Sequence, residues 1–200
     1  MAMLPDLSLE HASGGVVAGI DEAGRGPWAG PVVAAAVILD AAAVPAGLND
    51  SKKLSAKRRE ALFEAIIGTA KVGVGMVGPD EIDRINILAA TEDAMGRALA
   101  ALPCSPDLAL IDGNRVPAGF GCPAESIVKG DARSCSIAAA SIIAKVTRDR
   151  IMAGLAAEFP GYGWERNAGY GTAEHRAALT RHGVTPHHRR SFAPIRNILI

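Results

Sequence analysis

The sequence predicts an α/β fold: a mixed five-stranded sheet flanked by helices, followed by a small, mostly helical C-terminal extension. Three observations carry this. Five short apolar runs are separated by longer stretches with apolar residues at helical spacing. Their order, strand–strand–helix–strand–helix–strand–strand–helix, is that of a layered domain with helices on both faces of one sheet. The Pro160-Gly161 pair then stops the last long helix and sets off the remainder of the chain.

The elements follow in order. The first strand spans 16–20, an apolar run ending in Asp21-Glu22, and the second spans 31–39, Val-rich at both ends. A helix starts at Ser55, a side chain suited to accept from the first free amides, and runs through KRREALFEAII. Glycine and apolar residues alternate over 70–77, a third strand. A helix over about 79–102 opens with proline, whose missing N–H costs nothing in a first turn. Strands over 108–111 and 126–128 precede a helix over 134–159, whose first half, SIAAASIIA, is small and uncharged, as a helix buried against a sheet requires. A short helix over 173–182 lies in the extension. The expected division is a catalytic core over 1–160 and a basic, substrate-binding extension over 161–200.

Composition narrows the function. With 200 residues and 49% apolar content the chain can bury a core, and disorder is excluded. No apolar run is long enough to span a bilayer, and the N-terminal residues lack a signal-peptide pattern, so a soluble cytoplasmic protein is expected, with a monomer as the default. Three cysteines without C-x-x-C spacing read as indifferent thiols. The formal net charge is +0, but residues 165–200 hold six arginines against two acids, and four of the five histidines. An acidic body with a basic end suits a polyanion held by one part and processed by another; a solvated surface helix would give the same charge pattern.

The acids at predicted strand ends carry the chemistry: Asp21 and Glu22 after the first strand, Asp112 after the fourth, Asp131 after the fifth. Asp112-Gly113 also reads as a turn, and Asp131 as a cap for the following helix. Asp21 and Glu22 are adjacent, and neighbouring strand residues face opposite ways, so joint service in one site requires the strand to end or bulge there, or one acid to act partly through its backbone. If all four converge they cannot all stay ionised without cations, since two carboxylates ~4 Å apart repel by roughly 4 kcal/mol at an effective dielectric of ~20. Oxygen donors without Cys or His select Mg2+ or Mn2+ over zinc, and two such ions suit phosphodiester hydrolysis.

The blocks GIDEAGRGPWAGPVV, LNDSKKLS, EIDRINILAAT, LIDGN, VKGDARSCSIAAASIIAKVTRDR, NAGYGTAEH and HGVTPHHRRSFAPI run nearly end to end, and together they resemble the bacterial ribonuclease HII family, of ribonuclease H-like fold. The resemblance implies an endonuclease that cuts RNA in RNA–DNA hybrids and at single ribonucleotides embedded in duplex DNA. It implies Asp21, Glu22, Asp112 and Asp131 as catalytic ligands of two Mn2+ or Mg2+ ions, with Asp21 shared between them. It makes Gly24-Arg25-Gly26 a backbone loop at the sugar-phosphate of the ribonucleotide–deoxyribonucleotide junction, Tyr170 a sensor of the same junction, and Ser51 and Lys52 phosphate contacts. The residue types suit these roles: glycines admit close main-chain approach, arginine offers planar donors to phosphate, and backbone groups with a phenol can read a 2′-hydroxyl. Tyr162, in a similar GYG, is not favoured by the family pattern. His187-His188-Arg189-Arg190 reads as backbone binding or as packing of the tail, and Lys145 and Arg148 carry no assigned role. Two rivals are a nuclease or strand transferase of the same fold acting on DNA, and a silent hybrid-binding module; cleavage of all-DNA duplex against the same duplex with one ribonucleotide separates them.

Overall fold

The computed structural model describes residues 4–199. Its sheet has five strands, β1 (Val17–Ala23), β2 (Val32–Ile38), β3 (Lys71–Val77), β4 (Leu108–Asp112) and β5 (Ala124–Ile127), in the order β3-β2-β1-β4-β5. β1 pairs antiparallel with β2 and parallel with β4; β2–β3 is antiparallel and β4–β5 parallel, so the sheet is mixed. Every residue of β2 is buried, because it lies inside the sheet with both faces covered.

Side-chain alternation on β2 defines the two faces. Ala35 and Val37 pack with Leu62 and Ile66 of α2 (Ala56–Thr69) and with Ile142 and Ile143 of α4 (Cys135–Glu158). Ala34 and Ala36 pack with Ala90, Ala94 and Ala98 of α3 (Pro79–Ala100). Three strand glycines set the helix distances. A Cβ on Gly19 of β1 would fall 2.0 Å from the backbone carbon of Ser136, and Cβ atoms on Gly73 and Gly75 would fall 2.2 and 2.1 Å from the carbonyl oxygens of Ala98 and Ala94. α4 and α3 therefore rest on bare backbone, which explains the glycine alternation in β3. Ser55 caps α2 through Arg58 N at 3.3 Å, as its position predicts.

Residues beyond 161 form α5 (Trp164–Asn167), α6 (Ala173–His182) and α7 (Ala193–Arg196). Tyr162, Trp164, Ala178, Leu179 and Ile195 make an apolar cluster with Ala29 and Met152, which carries this segment back onto the loop after β1.

Two expectations need correction. β1 does not end at the acids: its antiparallel pairing continues in register through Asp21↔Ala35, Glu22↔Ala34 and Ala23↔Val33, without a bulge. The break expected there begins only with Gly24, at φ +94°. α3 is not one uninterrupted helix: Asn86 stands at φ 69°, ψ 164°, and its Oδ1 accepts from the amides of Leu88 and Ala89, so it caps the second half. α1 (Ser8–Ser13), α5 and α7 were not foreseen, since four to six residues are too few to display a helical period. Among the described residues no helix is long and apolar enough to cross a membrane.

Candidate active site

The strand register assembles the acids. The last parallel pair between β1 and β4 is Ile20↔Ile111, so the next step sets Asp21 beside Asp112. Ile20 and Ile111 face α3; Asp21 and Asp112, one residue on, face α4. Asp131 arrives from the 3-10 turn Gly130–Ala132, which is tied down by Gly130 N donating to Asp112 Oδ1 at 2.7 Å. Oxygens of Asp21, Asp112 and Asp131 all lie within 4.8 Å of one another. Asp131 is not the cap of α4, a role taken by Ser134 through Ile137 N. Asp112 is the last residue of β4, the chain bends after it at Gly113, φ +119°, and its carboxylate stays in the cluster.

Glu22 is not in that group of three. In an unbroken strand it faces the α3 side, where it shares a cavity of about 110 Å3 with Asp112, Glu92 and Met95, and its Oε1 accepts from Arg25 Nη1 at 3.2 Å.

The cluster's charge is under stress. Asp21 is only 8% exposed, and burial, then the charges of Glu22 and Asp112, push its carboxyl well above the usual carboxylate range. Burial also raises Asp131, reinforced by Asp112, and raises Glu22 against the opposing pull of Arg25. Lys52 lowers both from the first residues of a 3-10 turn, Ser51–Lys53, which Asp50 caps by accepting from Lys52 N at 2.9 Å. Ser51 is buried, its amide bonded to Ser141 Oγ at 3.1 Å.

A cavity of about 400 Å3 opens on these groups, lined by Asp21, Glu22, Gly24, Arg25, Gly26, Ser51, Lys52 and Tyr170, and also by Lys145 and Arg148. Gly26 and Tyr170 are neighbours: a Cβ on Gly26 would lie 3.6 Å from Tyr170 Cε1. Tyr170 is half-exposed and Tyr162 buried, with its hydroxyl spent on Gly183 O at 2.9 Å, so only Tyr170 presents a phenol to this cavity.

Two buried arginines hold the loops around the cavity. Arg148 donates to the carbonyls of Pro31, Ala168 and Ala29 at 2.9, 2.9 and 3.0 Å. Arg189 donates to Gly30 O at 3.0 Å, Arg25 O at 2.9 Å and Gly24 O at 2.6 Å. A histidine pair sits behind Tyr170. Thr185 N donates to His188 Nδ1 at 2.9 Å, leaving the proton on His188 Nε2, which lies 3.0 Å from His175 Nε2. His175 Nε2 also accepts from Trp164 Nε1 at 3.2 Å, so its own proton is on Nδ1, facing Tyr170 O at 3.0 Å. Both rings are neutral in this arrangement. Burial depresses both, His188 to about 4 with His175 adding to the effect.

The run His187–Arg190 is therefore packing rather than a solvent-facing basic patch at His188 and Arg189, both buried. Arg166, another of the tail's arginines, is paired with Glu165 and Glu174. The sequence assigns no role to Lys145, Arg148 or Asp50, and reads Arg189 only within the His187–Arg190 run, as backbone binding or packing. The one signal for the first two was two cations three residues apart directly after an uncharged helical run.

The family description that matches residues 18–195 is Ribonuclease HII. The ribonuclease HII of Ruegeria pomeroyi is 60% identical over 199 residues, covering 98% of this chain and 85% of that protein. That of Rhodospirillum rubrum is 62% identical over 202 residues, covering 98% and 92%. Among solved structures, the ribonuclease H2 of Pyrococcus horikoshii superposes with a TM-score of 0.75 at 31% identity, over 91% of this chain and 96% of that one.

Proposed function

The chain belongs to the ribonuclease HII family, and from that premise we propose that it hydrolyses the RNA strand of RNA–DNA hybrids and cuts on the 5′ side of ribonucleotides embedded in duplex DNA. It is a metal-dependent endoribonuclease; the proposed products are 3′-hydroxyl and 5′-phosphate ends, and the proposed role is ribonucleotide removal during replication and repair. The observation that carries the reading is one cavity lined by Asp21 and Glu22, by Gly24-Arg25-Gly26 and by Tyr170, which the Asp21–Asp112–Asp131 cluster meets at Asp21.

The donor set fits divalent cations. It is all oxygen, and the pressure on Asp21 to take a proton is what a bound cation would relieve. Asp21, Asp112 and Asp131 would hold Mn2+ or Mg2+, with Glu22 contributing from the α3 side through its closeness to Asp112. When bound, the ions supply activation of water and stabilisation of the leaving oxygen. The residues do the rest. Lys52 and Arg25 take phosphate oxygens; Arg25 exchanges its pair with Glu22 for the substrate, which frees Glu22 as a ligand. The Gly26 backbone and the Tyr170 phenol read the 2′-hydroxyl, which is recognised but is not the nucleophile. No histidine is needed as general base: His175 and His188 are committed to packing.

The test is cleavage of a labelled DNA duplex carrying one ribonucleotide, with Mn2+, with Mg2+ and with chelator. One metal-dependent cut 5′ of the ribonucleotide is expected. Cleavage of long hybrid alone would remove the junction-reading roles of the loop and Tyr170, and equal cleavage of all-DNA duplex would sink the substrate assignment.

A further inference from the structure

Arg189 lies 164 residues from Arg25 in the chain, yet its guanidinium is fully buried beneath the Gly24-Arg25-Gly26 loop. Its three bonds go to carbonyl oxygens of that loop and of Gly30. Arg148 makes three bonds of the same kind, and one of them, to Ala168 O, anchors the stretch that leads into Tyr170. Among the described residues neither guanidinium has a carboxylate within ion-pair distance. A buried cation is costly, and every hydrogen bond that offsets it here goes to a main-chain carbonyl, so the carbonyls' orientation is what the pair secures.

The peptide plane turns that into a directional effect. In a trans peptide the C=O and the following N–H point opposite ways, and there is no cis bond here. Pinning Gly24 O and Arg25 O onto the buried guanidinium therefore aims the N–H groups of Arg25 and Gly26 outward. Those two residues are exposed at the cavity, and among the described residues neither amide has a hydrogen-bond acceptor. Adjacent unclaimed N–H groups make a small anion- or hydroxyl-binding concavity. Gly24 cannot vary within this device: at φ +94° a Cβ would fall 2.0 Å from Arg148 Nε.

We propose that Arg189, with Arg148 behind it, is a positioning residue for ribonucleotide discrimination: it fixes two peptide planes so that the amides of Arg25 and Gly26 face the sugar-phosphate opposite Tyr170. The inference rests on the reading of this cavity as the junction site. A lysine at 189 keeps the charge but has a single nitrogen, which cannot span the three carbonyls as a planar fork does.

The experiment compares wild type, Arg189→Lys, Tyr170→Phe and the double variant on two substrates, a duplex with one ribonucleotide and a long RNA–DNA hybrid, with melting temperatures in parallel. Arg189→Lys is expected to lower kcat on the single-ribonucleotide duplex by about tenfold or more, with KM within about twofold and a much smaller loss on long hybrid. Its effect is expected to be less than multiplicative with Tyr170→Phe, because both act on one junction contact. An equal loss on both substrates, or full multiplicativity, overturns the proposal. If Arg189→Lys does not fold, Arg148→Lys carries the same comparison through Ala168. If Tyr170→Phe alone leaves junction cleavage intact, the reading of the cavity fails and the inference falls with it; if Tyr170→Phe is impaired and the arginine variants are not, the inference alone falls.

Discussion

Replacing Asp21 by Asn removes one charge from a cluster whose three carboxylates lie within 4.8 Å of each other. The variant is expected to be inactive and, in metal-free buffer, more stable than the wild type. At that separation and an effective dielectric of about 20, two full charges repel by about 3.5 kcal/mol. Partial protonation of the wild-type cluster, and weakening of the bond from Glu22 N once its acceptor is an uncharged amide oxygen, reduce the gain to about 2 kcal/mol. For a chain of 200 residues this corresponds to a melting temperature about 4–8 °C higher. The pH dependence follows from the direction of the shift. The Asp21 carboxyl is raised above its unfolded value, so the folded state binds more protons, and wild-type stability falls as pH rises through the folded pKa. The two proteins should converge in acid and separate towards pH 8. Saturating Mn2+ should reverse the order, since the cation stabilises only a protein that can bind it. Thermal melts in chelator and in Mn2+ across this range decide the matter. A variant that melts no higher than wild type in chelator at pH 8, or that gains as much from Mn2+, would refute the crowded-carboxylate account of the site.

The histidine pair predicts a second, opposite pH effect: with His188 depressed to about 4 from an unfolded value of 6.5, the folded state resists protonation, so stability is full above 6.5 and is lost as pH falls towards 4, by at most about 3 kcal/mol; denaturant titrations should show that slope reduced in His188→Gln. Lys52→Ala should weaken binding of hybrid in Ca2+ buffer several-fold and lower the salt slope by about one unit, as loss of one phosphate contact requires; an unchanged slope would remove Lys52 from the phosphate path. Tyr170→Phe should impair cleavage at an isolated ribonucleotide more than cleavage of long hybrid, measured as the ratio of the two kcat/KM values.

The layered α/β class was legible because β2 is an uninterrupted apolar run, the first half of α4 is small and uncharged, and Ser55 announced its helix with a cap. The acids could be nominated, but their meeting could not be read from spacing: it depends on the parallel register that puts Ile20 opposite Ile111, a non-local fact. The same register explains why Glu22 stands apart. A one-dimensional pattern marks Asp21-Glu22 as a unit, whereas an unbroken strand sends the two side chains to opposite faces. The tail was hardest to read. Arg189 and His188 carry polar side chains that composition assigns to solvent, and their burial depends on carbonyl and imidazole partners that only the folded chain supplies.

That Arg189 reaches back to Gly24 also orders events in time. Synthesis delivers the acids and the loop well before the residue that clamps the loop, and closure must wait for a contact spanning 165 positions of the chain. A growing polypeptide that already displays every carboxylate would still lack the clamped loop. On this ordering the loop that edges the cavity is set only after the strands that carry the acids have been made.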